Sequence, residues 1–161
     1  MSVRSVVVGG LAALALPSAA WAIPLDCDGG TTNKLNVSVT GVKSSSGQVT
    51  VTLYVNDAKR FLGKGGAYGI VRAPARAGTT TVCVAIPSPG KYALAVYHDV
   101  DGDGRLDRNV IGLPAEPFAL SNNPPPKMAM PKIGPSLFSA GAGETSVTVR
   151  LQKAPKDKKK A

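Results

Sequence analysis

Histidine occurs once in this chain, at position 98, and cysteine twice, at Cys27 and Cys83. That scarcity excludes a tetrahedral zinc centre built from clustered Cys and His. A serine or cysteine hydrolase would have to move every proton through His98, and no G-x-S-x-G or nucleophilic Cys pattern accompanies it. Aromatic residues make up 5% of the chain and do not interleave with basic ones. This excludes the stacking platform of a single-strand nucleic-acid binder. After Ala22 no apolar run approaches the roughly 20 residues of a membrane-spanning helix. No segment there sustains a helical period either.

What the N-terminus does have is an export signature. MSVRSVVVGGLAALALPSAAWA carries Arg4, an apolar run from Val6 to Leu16, and the small-residue ending Ala20-Trp21-Ala22. This is the three-part pattern of a secretory signal peptide over residues 1–22. Cys27 follows Ile23-Pro24-Leu25-Asp26, which is not a lipobox. The protein is therefore expected in the periplasm or outside the cell. In such a compartment two cysteines read as one disulfide, tethering residues 23–33 to the domain over 34–152. Two buried thiols remain the alternative.

The net charge of +9 is unevenly placed. Lys153, Lys156, Lys158, Lys159 and Lys160 against Asp157 carry +4 of it within residues 153–161. A Lys-rich terminus reads as a solvated, disordered tail. Its functional alternative is a salt-sensitive contact with anionic envelope polymers.

Between signal and tail, period-2 patterns recur. KLNVSVTGV alternates Leu35, Val37 and Val39, and QVTVTLYV alternates Val49, Val51, Leu53 and Val55. TTTVCVAI turns Val82, Val84 and Ile86 inward, KYALAVYH turns Tyr92, Leu94 and Val96, and TSVTVRL turns Val147, Val149 and Leu151. Shorter strand candidates lie at Gly69–Arg72, Pro117–Leu120 and Ser136–Ser139. Half-polar strands rich in Val and Thr, punctuated by Gly, Pro and Ser, predict an all-β fold of about seven strands. Two antiparallel sheets packed face to face bury such faces. The segment Ser121–Pro135 carries five prolines and is expected as a long loop, with Met128 and Met130 packing it down.

The run PGKYALAVYHDVDGDGRLDRNVIGLPAEPFALSNN resembles the bacterial family known as domain of unknown function 2141. That family shows a tyrosine strand ending in His-Asp, an Asp/Asn/Gly turn, Gly-Leu/Ile-Pro, an aromatic and Ser-Asn-Asn. LNVSVTGVKSSSGQVTVTLYVND is similar to its opening strand pair, so the likeness covers roughly Leu35 to Leu151. The resemblance implies an exported β-sandwich of transthyretin-like or immunoglobulin-like plan, and it implies no activity. Pro124-Pro125-Pro126-Lys127 departs from the family's Phe-Gly-Pro-Pro segment after Ser-Asn-Asn.

Acid is scarce, yet Asp99, Asp101, Asp103 and Asp107, four of the ten acidic residues, stand within nine positions. Counted from Asp99 as position one, carboxylates fall at one, three, five and nine, Gly104 at six and the Arg105 carbonyl at seven. Odd-numbered oxygens around a permissive glycine are how a loop wraps a calcium ion. Position twelve is Val110 instead of a bidentate Glu, so this is not an EF-hand. Glu116, Asn109, Asn122, a carbonyl or water would have to close the shell. Mg2+ prefers a more compact octahedron, and zinc would need more than His98. A plain acidic turn, relieved by Arg105 and Arg108, is the competing reading.

The expected function is thus an exported, non-enzymatic module, structural or ligand-binding, with Ca2+ held by Asp99, Asp101, Asp103, Arg105 and Asp107. His98 would pack at the sheet edge or orient Asp99 from behind. Ser121, Asn122 and Asn123 would offer a loop contact surface. An envelope contact through the Lys-rich tail and a small hydrolase using His98 are the alternatives.

Overall fold

The computed structural model describes Cys27, residues 32–127 and residues 129–153. The expected signal segment, Met128 and the tail lysines beyond Lys153 lie outside the described residues. Eight strands follow one another: β1 (Lys34–Val42), β2 (Gln48–Val55), β3 (Gly69–Pro74), β4 (Gly78–Ala85), β5 (Gly90–Asp99), β6 (Phe118–Leu120), β7 (Phe138–Ala140) and β8 (Glu144–Arg150). Among the described residues no helix is long and apolar enough to cross a membrane.

The strands form an all-β sandwich of two sheets. One has the order β4-β1-β8. The other has the order β3-β2-β5-β6, with β7 pairing the other half of the β5 edge. The β1–β8 pairing departs from the antiparallel expectation: it is parallel, Leu35 opposite Thr145 and Val39 opposite Val149. The reason is connectivity. Ser88-Pro89-Gly90 and Gly141–Gly143 are corners where the chain changes sheets, so β8 returns to the first sheet alongside β1. Parallel neighbours need such a long detour and cannot be joined by a tight turn.

The period-2 faces meet between the sheets. Leu35, Val37, Val39, Val49, Val51, Leu53, Val84, Leu94 and Val149 are fully buried there. Burial of this kind contributes about 1.5–3 kcal/mol for each large side chain. Cys27 and Cys83 sit at disulfide distance with Cα atoms 5.7 Å apart, which ties Cys27 to β4.

The opposite face of the five-stranded sheet is also covered. Tyr54, Phe61, Ala93, Leu120 and Ile133 make a second, smaller apolar cluster, with Tyr54 and Phe61 edge to face at 5.1 Å. Thr50 and Thr52, which alternate with the core-facing Val49, Val51 and Leu53, are also only 1% and 8% exposed. The sandwich therefore carries an extra half-layer on one side.

Candidate metal centre

Strand β5 brings Asp99 to its end opposite Gln48 of β2, and this register fixes the site. The Asp99 side chain is inaccessible to water, covered by the loop that follows it and not by the deep core. Its Oδ1 accepts the Gly102 amide at 2.8 Å. Its Oδ2 accepts the Gly104 amide at 2.9 Å and the Gln48 Nε2 amide at 2.7 Å. Gly102 and Gly104 have φ of +77° and +80°, so the loop curls around the carboxylate with glycine at both left-handed positions. Burial pushes the Asp99 pKa up, and hydrogen bonds from Gln48, Gly104 and Gly102 outweigh it, holding the group ionised below the usual carboxylate range.

The same curl aligns the next two acids. Asp101 Oδ1 accepts the Asp103 amide at 3.2 Å, and Asp103 Oδ1 accepts the Arg105 amide at 2.7 Å. One carboxylate oxygen from each of Asp99, Asp101 and Asp103 lies within 4.8 Å of the others. Two oxygens bound to one calcium at 2.3–2.6 Å stand at most about 5 Å apart, so the group fits such an ion. Asp99 is buried, whereas Asp101 and Asp103 are exposed.

Asp107 is not brought into this group. Its carbonyl accepts the Ala115 amide, and Arg108 bridges Pro114, so residues 107–115 form a small hairpin of their own that swings away. Asn109 caps that hairpin, its Oδ1 accepting the Ile111 and Leu113 amides. Glu116, 8% exposed, joins the two ends of the loop: Oε1 accepts the Val100 amide at 2.9 Å and Oε2 the Asp107 amide at 3.2 Å. Asn122 lies beyond the far end of β6, where its Nδ2 donates to the Pro135 and Leu137 carbonyls. Neither Asp107 nor Glu116 joins the group of three aspartates.

The neighbouring cations Arg108 and Arg72 meet backbone carbonyls and not these carboxylates, Arg72 on the acidic loop itself. Arg108 donates to the Gly112 carbonyl at 2.8 Å, and Arg72 reaches the Gly104 carbonyl at 3.5 Å. Among the described residues the one salt bridge is Lys34–Glu144, at 3.3 Å on the other sheet. Arg105 and Arg108 therefore do not pair with the three carboxylates.

His98 points the other way from Asp99, into the sandwich with Tyr92, Leu94 and Val96. It is 1% exposed, with Nε2 donating to the Ser46 carbonyl at 2.9 Å. The expected contact surface is also differently arranged. Ser121 is fully buried, accepting the Leu94 amide at 2.8 Å and donating to the Ser136 carbonyl. Asn123 docks on β8, its Oδ1 accepting the Arg150 amide at 2.7 Å. Ser121-Asn122-Asn123 is thus a clasp that ties the start of the proline loop to β5, to residues 135–137 and to β8. Gln48 was the site residue hidden from sequence reasoning, because only the β2–β5 register places it on Asp99.

Comparison with known proteins adds one finding. No curated protein and no solved structure matches the chain. The family model described as "Uncharacterized protein conserved in bacteria (DUF2141)" matches residues 37–148, from within β1 to within β8 and across the whole acidic loop. That span covers most of the sandwich, and the chain belongs to the DUF2141 family.

Proposed function

We propose that this protein is an exported, non-enzymatic binding module in which the loop from Asp99 to Asp103 holds a calcium ion. The observation that carries the reading is that Asp99, Asp101 and Asp103 each bring a carboxylate oxygen within 4.8 Å of the others, and that among the described residues no cationic side chain pairs with any of them. Like charges at that distance repel, and a shared cation relieves them. Each of Asp101 and Asp103 uses Oδ1 on a neighbouring amide, which orients the side chain before an ion arrives. Peptide carbonyls and water would complete the oxygen shell. Export is supported by the Ala20-Trp21-Ala22 ending and by the Cys27–Cys83 pair, which suits an oxidising compartment. A non-catalytic role is supported by the burial of His98, whose ring faces the core.

The ion would stiffen the loop. Extracellular modules commonly bind calcium at 10⁻⁴–10⁻³ M, so about 1 mM Ca2+ would stabilise the fold by about 0.4–1.4 kcal/mol. For a domain of this size that is a rise in Tm of about 2–6 °C. Thermal melts in chelator, Ca2+ and Mg2+ test it. The Asp101→Asn/Asp103→Asn pair should keep the fold and lose the calcium-specific gain. A melt indifferent to calcium up to several millimolar would refute the reading.

A further inference from the structure

The covered face of the five-stranded sheet is not covered completely. Between the 107–115 hairpin and the proline loop lies an open cleft of about 390 Å3, within the range of small-molecule sites. Its floor is low because Thr52 of β2 and Ala95 of β5, opposite each other in register, are small. Leu106 and Ile111 rise on one side, Met130 and Pro131 on the other. The rim is apolar for a surface: Ile111 and Met130, both lining the cleft, are 53% and 68% exposed. Exposed apolar side chains that gather around a concavity mark a binding site.

The charges in the lining decide which ligand. Among the described residues Arg108 from the hairpin wall and Lys127 from the proline loop are the only charged ones lining the cleft, and none is an acid. A second cavity of about 340 Å3 continues under the proline loop, sharing Phe118, Leu120 and Lys127 and adding Lys132, again without an acid. A long apolar trough with cations on its walls complements a ligand with an aliphatic body and an anionic end. The floor lies below two walls, so a single molecule can reach it and a flat lipid surface cannot.

We propose that the cleft binds one medium-chain aliphatic anion, its chain laid over Thr52 and Ala95 and its carboxylate or sulfate held between Arg108 and Lys127. This names the ligand for the binding role proposed above and does not require the calcium ion. The test is run in chelator, so its failure leaves the calcium reading standing.

The purified full chain is titrated with 1-anilinonaphthalene-8-sulfonate, and the bound dye is displaced by dodecanoate, dodecanol or dodecyltrimethylammonium below their micellar concentrations. Dodecanoate should displace the dye at 1:1 stoichiometry and about tenfold more tightly than the alcohol, with the cation weakest. Ala95→Leu, which fills the floor, should lose dye and dodecanoate alike. If that variant melts early, Ile111→Asp on the exposed rim serves in its place with the same expected loss. Arg108→Gln/Lys127→Gln should erase the preference for dodecanoate over dodecanol. Equal affinity for anion and alcohol in the parent protein overturns the proposal, as does dodecanoate binding that survives both Ala95→Leu and Ile111→Asp. Cosedimentation with anionic phospholipid vesicles that is lost with Ala95→Leu would assign the cleft to a membrane surface and overturn it too.

Discussion

Replacing Asp99 by Asn changes one oxygen to an NH2 group and removes one charge, while the side-chain shape is kept. The carboxylate accepts three hydrogen bonds, from Gly102, Gly104 and Gln48, at 2.7–2.9 Å. An amide has one acceptor oxygen, so at least one of these donors would face another donor. Hydrogen bonds to a charged group are worth about 1.5–3 kcal/mol each, and a buried donor left unmatched costs a further 1–3 kcal/mol or so. Because the loop covers Asp99 thinly, the lower part of that range applies, and Asp99→Asn should cost about 2–4 kcal/mol. Urea unfolding at pH 7 in chelator measures this without any contribution from metal. The pH dependence has a definite sign. Asp99 has its pKa lowered in the folded state, so its contribution is whole above the unfolded value of about 3.9 and is lost as pH falls through the lower folded value. The difference between parent and variant should therefore be constant from neutral pH to about pH 5 and shrink below about pH 4. A cost under about 0.5 kcal/mol, the scale of an ordinary surface substitution, would show that the three hydrogen bonds do not hold the loop.

Gly47 faces the same loop from the β1–β2 turn, with φ +68° and the position of an added Cβ only 2.0 Å from the Asp99 carbonyl oxygen. Gly47→Ala should thus cost about 3 kcal/mol or more in urea unfolding, because backbone must move on both sides. Ser121→Ala removes the acceptor for the Leu94 amide and the donor to Ser136, and should cost about 1–3 kcal/mol while raising hydrogen exchange at Leu94. Cys27→Ser/Cys83→Ser opens a cross-link between residues 56 apart and should destabilise by about 4 kcal/mol in the chain-entropy account, read as an earlier chemical midpoint.

The sandwich was legible because β1, β2, β5 and β8 each carry a period-2 face long enough to declare itself. The three-residue strands β6 and β7 were visible only as short candidates, because so few residues hold one or two repeats. The parallel neighbour of β1 left no local mark, since a parallel pairing is set by how the chain detours and not by the residues in the strand. Alternation also gives no sign that Thr50 and Thr52 are buried. Thr52 shares a cleft with Leu62 and Met130, residues of loops far from it in sequence.

At the acidic loop, the spacing identified Asp99, Asp101 and Asp103, because each side chain bonds an amide within five residues. It did not foresee that Asp107 leaves with its own hairpin, whose partner strand begins near Pro114. Glu116 illustrates the same limit. Its carboxylate closes the loop through amides sixteen and nine residues away, a relation no short window contains.

If Asp99, Asp101 and Asp103 share one cation, calcium must act first on the amides of their own loop. Titrating calcium into ¹⁵N-labelled protein and following Gly102, Asp103 and Gly104 reads this at the site. Saturable shifts confined to that loop are expected, with half-saturation near 10⁻⁴–10⁻³ M, weaker with Mg2+ and absent from Asp101→Asn/Asp103→Asn. Amides there that stay fixed through 10 mM calcium or so, or that move equally in the double variant, would contradict it.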